Sequence, residues 1–177
     1  DPSDYDIIFF GPGEASSFPL LTEELAPVKD KLEAYINEGK PVLVTGTSIG
    51  LFCSKVTRSS GEEFNGLGIL KSEFKENEKV YGDDIYFKTE YNGIVMEIIG
   101  NQIQMGDIIL KDEPFGELIY GYGNTGEDTK EGVVKGRSIF TNTLGPLLVC
   151  HPKLTAEIVK VAAKKAGLKI DETALDT

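Results

Sequence analysis

The chain has 177 residues, 40% of them apolar and 27% charged, with a formal net charge of −11. That length suits one domain with a real core, and no run approaches the ~20 apolar residues that span a bilayer. The acidic balance argues against a phosphate-backbone binder, which needs clustered Lys and Arg, so no nucleic-acid partner is expected.

Tyr5 to Phe10 is apolar but for Asp6, which predicts a strand buried on both faces. It stops at the turn Gly11-Pro12-Gly13. Leu25, Val28, Leu32, Tyr35 and Ile36 then recur at helical spacing, with Pro27 in the first turn and Gly39 as the stop. A strand is predicted over Val42 to Thr45, then a glycine-rich turn, then a short helix over about 49–56. Strand, helix, strand, helix implies a parallel crossover and an α/β sheet.

The middle of the chain changes character. Runs at 85–90, 94–99 and 103–110 predict successive strands, and Asn92-Gly93 marks a hairpin between the first two. Gly116 to Gly126 predicts a strand ending in a fixed loop, and 138–143 a further strand. The last helix is predicted from Pro152 to Ala166 with Gly167 as its stop, and the tail from Asp171 is expected to fray. One domain over 1–177 is expected, without repeats or linkers.

Chemistry is sparse. Cys53, Cys150 and His151 are the only cysteines and the only histidine. They make no disulfide framework and no metal signature, so no metal or cofactor is expected, and a reducing, cytoplasmic setting without a leader fits. Gly46-Thr47-Ser48-Ile49-Gly50 is a literal G-x-S-x-G. In a nucleophile elbow the nucleophile sits at the strand-to-helix apex, and Ser48 falls about two residues late. Ser48, or Thr47, would also need His151 as base. Cys150 and His151, adjacent in extended chain, point to opposite faces. Cys53 lies in the short apolar helix, where core packing is the simpler reading. The turn at Gly11 to Gly13 offers backbone donors to an anion, but Pro12 has no N–H to give.

Several blocks together resemble a known family. They are Tyr5 to Gly13, Gly39 to Leu51, Gly66 to Leu70, Tyr120-Gly121-Tyr122-Gly123-Asn124-Thr125-Gly126-Glu127-Asp128 with Glu131-Gly132, and Gly145 to Leu148. In this order they resemble the class I glutamine amidotransferase domains of the cobyric acid synthase type, and in particular the glutaminase subunit of lipid II isoglutaminyl synthase. The resemblance implies a flavodoxin-like α/β fold, although the family's chain normally begins some tens of residues earlier with strands not found here. It implies a cysteine that attacks the side-chain amide of glutamine, an assisting histidine and backbone amides that hold the oxyanion. It also implies a Mur-ligase-like, ATP-using partner that takes the ammonia to amidate a peptidoglycan precursor.

Position by position, the family's cysteine falls on Gly46 and its histidine on Leu144. Its glycine triplet falls on Gly11, Pro12 and Gly13, and its substrate arginine on Gln102. The expectation is therefore a non-catalytic relative with a vestigial pocket at Gly11, Gly13 and Gln102, acting as a binding or regulatory subunit. The alternatives are an active amidotransferase with a non-standard nucleophile such as Cys53, or a serine hydrolase using Ser48.

Overall fold

The computed structural model describes residues 1–171, so most of the tail expected to fray lies outside the described residues. In chain order the elements are β1 (Ile8–Phe10), α1 (Phe18–Leu25), α2 (Lys29–Asn37), β2 (Val42–Thr45), α3 (Ile49–Phe52), β3 (Lys55–Thr57), β4 (Glu63–Phe64) and β5 (Glu73–Tyr91). Then follow β6 (Ile94–Ile109), β7 (Gly116–Tyr120), β8 (Lys130–Glu131), β9 (Val133–Lys135), β10 (Ser138–Thr141), β11 (Thr143–Gly145), α4 (Leu147–Cys150) and α5 (Pro152–Lys165).

They form two sheets. The first has the order β1-β2-β10-β9, with β1, β2 and β10 parallel and β9 antiparallel. The second runs β11-β6-β5-β3-β4, with β7 and β8 attached to the edge of β5 that β3 leaves open. Side chains alternate across a strand, so the first sheet feeds two cores. Val42 and Val44 of β2 and Phe140 of β10 face a core with Phe18, Ile36, Phe52 and Phe74. Leu43 and Ile139 face the other way, against Phe87 and Ile98 of the long hairpin and Leu154, Ile158 and Val161 of α5. The result is the expected α/β arrangement with an antiparallel hairpin region added.

Four sequence expectations need correction. The first strand is not buried on both faces: β1 is an edge strand, and Phe9 is 61% exposed. The helix expected over 49–56 ends at Phe52, because Cys53 turns extended and the chain becomes β3. The helix expected around Pro27 is interrupted by a 3-10 turn over Ala26–Val28, where the missing proline N–H would break α-helical pairing. The strands expected at 94–99 and 103–110 are one strand, which pairs with β5 across the Asn92-Gly93 turn.

A further departure matters for function. The strand expected over 138–143 stops at Thr141, and the chain switches sheets. β11 then pairs antiparallel with β6, Thr143 opposite Gln102. This switch carries Leu144 across the end of β2.

Candidate functional site

The turn after β2 is the geometric centre of the candidate site. Residues 41–50 are all buried. Gly46 follows the strand directly, has φ +62° and opens a 3-10 turn that leads into α3. This is a sharp strand-to-helix turn, with its apex at Gly46 and Ser48 two residues further on, as the strand length implied. A left-handed backbone of this kind suits glycine, and here a side chain would meet obstacles as well. A Cβ built on Gly46 lies 2.5 Å from Cδ2 of Leu144 and 3.2 Å from Cβ of Pro12. Gly46, Leu144 and Pro12 are far apart in the sequence; in space the non-ionisable side chains of Leu144 and Pro12 close over the place where a Gly46 side chain would stand.

Ser48 is occupied. Its hydroxyl donates to the Gly11 carbonyl at 2.6 Å, and it is 7% exposed. The same oxygen lies 3.0 Å from where a Cβ on Gly13 would sit. Gly11 and Gly13 thus wrap Ser48, and the hydroxyl pins the Gly11 to Gly13 turn onto the elbow. His151 is engaged elsewhere: its Nε2 lies 2.7 Å from the Ile99 carbonyl and 3.2 Å from the Ile99 amide. Among the described residues no hydrogen bond joins Ser48 to His151. Cys53 is fully buried, its thiol points at the Ile49 carbonyl at 3.5 Å, and burial pushes its pKa far up. A thiol held protonated is a poor nucleophile. Cys150 ends α4 and is exposed and unpaired.

Gln102 is buried, and its amide is engaged by the Gly123 loop and Gln104. It donates to the Gly123 carbonyl at 2.7 Å and to Gln104 at 2.8 Å, and it accepts from the Gly123 amide at 3.2 Å. Gln104 in turn donates to the Asn124 carbonyl at 2.9 Å and to Asp107 at 3.0 Å. Gln102 and Gln104 together thus hold the Gly123-Asn124 loop.

Sequence reasoning missed the hub of this polar layer, Asn124. Its Nδ2 donates to the Gly132 carbonyl at 3.0 Å, while its Oδ1 accepts from the Gly132 amide and from Asn142 Nδ2, both at 2.8 Å. Glu131, fully buried, accepts from the Asn142 amide at 2.7 Å and the Thr141 hydroxyl at 3.0 Å. The network grips the bend at Asn142, where the chain changes sheets, and so sets the place of Leu144. The block that holds Asn124 and Glu131 did stand out as one that carries the family resemblance, but nothing in the sequence gave Asn124 a role within it.

Burial pushes the Glu131 carboxyl up to about 7, against the opposing pull of the Asn142 and Thr141 hydrogen bonds. The native state thus binds a proton more tightly than the unfolded chain. The protonated group favours folding at low pH, and that advantage fades as pH rises from about 4.5 to about 7. A shift of that size is worth roughly 3 kcal/mol. Glu76 and Glu157, whose pKa values are lowered by hydrogen bonds that outweigh burial, act in a lower window and with the opposite sign. Glu131→Gln is expected to be no less stable than the parent at pH 5 and clearly more stable at pH 8, as measured by urea midpoints. A parent whose stability stays level across that range, matching the variant's slope, would contradict a buried, proton-holding Glu131.

The model of the CobB/CobQ-like glutamine amidotransferase domain matches residues 1–146. The chain belongs to that family. Among similar proteins is the lipid II isoglutaminyl synthase (glutamine-hydrolyzing) subunit GatD of Staphylococcus aureus (strain N315), 28% identical over 171 residues, 97% of this chain and 69% of the relative. The GatD subunit of Streptococcus pneumoniae (strain ATCC BAA-255 / R6) is 27% identical over 175 residues, 93% of this chain and 64% of the relative. The chain spans about two thirds of the length of these relatives. Among solved structures, PurLQS from Thermotoga maritima matches with a TM-score of 0.53 at 14% identity, covering 92% of this chain and 78% of that chain. That likeness is one of fold, and it agrees with the α/β amidotransferase architecture. This member of the CobB/CobQ-like family is distantly related to GatD, and at its elbow it carries glycine.

Proposed function

We propose that this chain is a non-catalytic glutamine amidotransferase-like subunit. One observation carries the reading: the apex of the elbow is Gly46, and the space its side chain would take is filled by Leu144 and Pro12. Glycine supplies no nucleophile and leucine no base. Proline supplies no N–H to an oxyanion. The three changes fit one another sterically, as expected of a site repacked after its chemistry was lost.

The relatives are subunits of a lipid II synthase, and this supports a binding or regulatory role beside a Mur-ligase-like partner in amidation of a peptidoglycan precursor. Two unpaired cysteines accord with a cytoplasmic setting, and among the described residues no helix is long and apolar enough to cross a membrane. A serine hydrolase built on Ser48 is less well supported, since that hydroxyl is held by Gly11 and His151 by Ile99. Nor does Cys53 favour an active amidotransferase, because its thiol is inside the core. Ammonia release from glutamine by the purified chain tests the proposal: background release is expected, and turnover at an ordinary amidotransferase rate would overturn it.

A further inference from the structure

The opposite end of the first sheet carries a second feature. β2 and β10 are parallel, so Gly46 and Leu144 follow their C-terminal ends, whereas Gly39 and Arg137 precede their N-terminal ends. Four residues of strand place the two ends about 13 Å apart. At the Gly39 end lies a cleft of about 790 Å³, within the range of small-molecule sites. Arg137, Lys160, Lys164 and Lys165 line it. Four cations in one cleft are notable in a chain whose 18 basic residues are outnumbered by 29 acidic ones.

The cations come from different elements and are brought together by the fold. A Cβ built on Gly39, φ +77°, would lie 3.3 Å from Nζ of Lys165 and 3.8 Å from Cγ of Arg137. The glycine thus lets the turn before β10 and the end of α5 meet over it. Helix-end lysines offset the negative end of a helix dipole, which accounts for Lys164 and Lys165 but not for Arg137 on a hairpin turn. Lys160 pairs with Glu157 at 3.0 Å, and Lys165 donates to the Glu38 carbonyl. Among the described residues neither Arg137 nor Lys164 has a carboxylate within ion-pair distance. Glu157 offsets part of this charge through Lys160, and the excess of cations that remains attracts a multivalent anion. A guanidinium fork beside ammonium groups suits phosphate oxygens. The apolar side chains of Val161, Leu168 and Ile170 line the same cleft and offer contact to a ring.

We propose that this cleft binds a small molecule bearing at least two phosphate groups and an apolar ring, the class of nucleoside di- and triphosphates, at a site separate from the elbow. Titration calorimetry of the whole chain with ATP, inorganic pyrophosphate and citrate at 150 mM salt tests it. Saturable ATP binding is expected, weakened at least tenfold in Arg137→Gln/Lys164→Gln and unchanged in Ser48→Ala. Pyrophosphate is expected to bind more weakly than ATP. Arg137 and Lys164 are exposed, so the variant should keep the parent's unfolding midpoint, and Lys164→Glu alone provides a second, charge-reversed check. No saturable ATP binding, or equal binding by the double variant, would overturn the assignment. So would citrate binding as tightly as ATP, which would mark mere attraction of polyanions.

Discussion

Gly46→Cys is expected to destabilise the protein by roughly 2–5 kcal/mol and to leave glutamine hydrolysis at background. Two costs add. A side chain at φ +62° pays about 1–2 kcal/mol for the left-handed backbone. Its Cβ, 2.5 Å from Cδ2 of Leu144, then forces a shift in a packed region, and overpacking of this kind costs about 1–3 kcal/mol. The contact has a distinctive signature. Leu144→Ala removes the offending methyl, so the double variant should be less destabilised than the sum of the singles, by about 0.5–3 kcal/mol. Urea denaturation of the four proteins measures this coupling. Costs that simply add within ~0.5 kcal/mol would mean that Gly46 and Leu144 do not compete for one space. Activity is not expected to return with the cysteine, since on the proposed reading Pro12 gives no N–H to an oxyanion and Leu144 supplies no base.

Asn124→Ala is expected to cost roughly 3–5 kcal/mol, enough to leave a marginal fold. The truncation strips partners from the Gly132 amide, the Gly132 carbonyl and the Asn142 side chain in one step. Each buried polar group left unpaired costs about 1–3 kcal/mol. Because Asn142 sits where the chain switches from β10 to β11, the damage should spread to the placement of Leu144. Hydrogen exchange of the Gly132 and Thr143 amides should accelerate along with the loss in urea midpoint. A loss below ~1 kcal/mol would show that water replaces these bonds freely and that the layer does not position the site.

The parallel strand–helix opening was legible because its strands are short apolar runs and the helix between them repeats apolar residues at a period near 3.6. Asn92-Gly93 marked its hairpin because only a few residues tolerate the backbone of that turn, and Asn92 does have a positive φ. The long reach of β5 was not legible. Its stretch from Lys75 to Asp84 carries mostly charged and polar side chains that lie exposed or half-buried, so no apolar run reveals a strand. The exposure of β1 escaped for the opposite reason: an apolar run signals a strand but not whether a neighbour covers it. Strand length moved the elbow's apex away from Ser48, and the family resemblance pointed to Gly46. That Leu144, 98 residues later, fills the apex was not legible, because it depends on a sheet switch fixed by buried amides.

The most direct measurement is ammonia release from saturating glutamine by this chain, alone and with a co-expressed Mur-ligase-like partner and ATP, beside the Staphylococcus aureus relative as a working control. The account predicts background release from this chain in both conditions while the control turns over. Sustained release beyond one ammonia per chain, abolished by substituting Ser48 or Cys53, would contradict it.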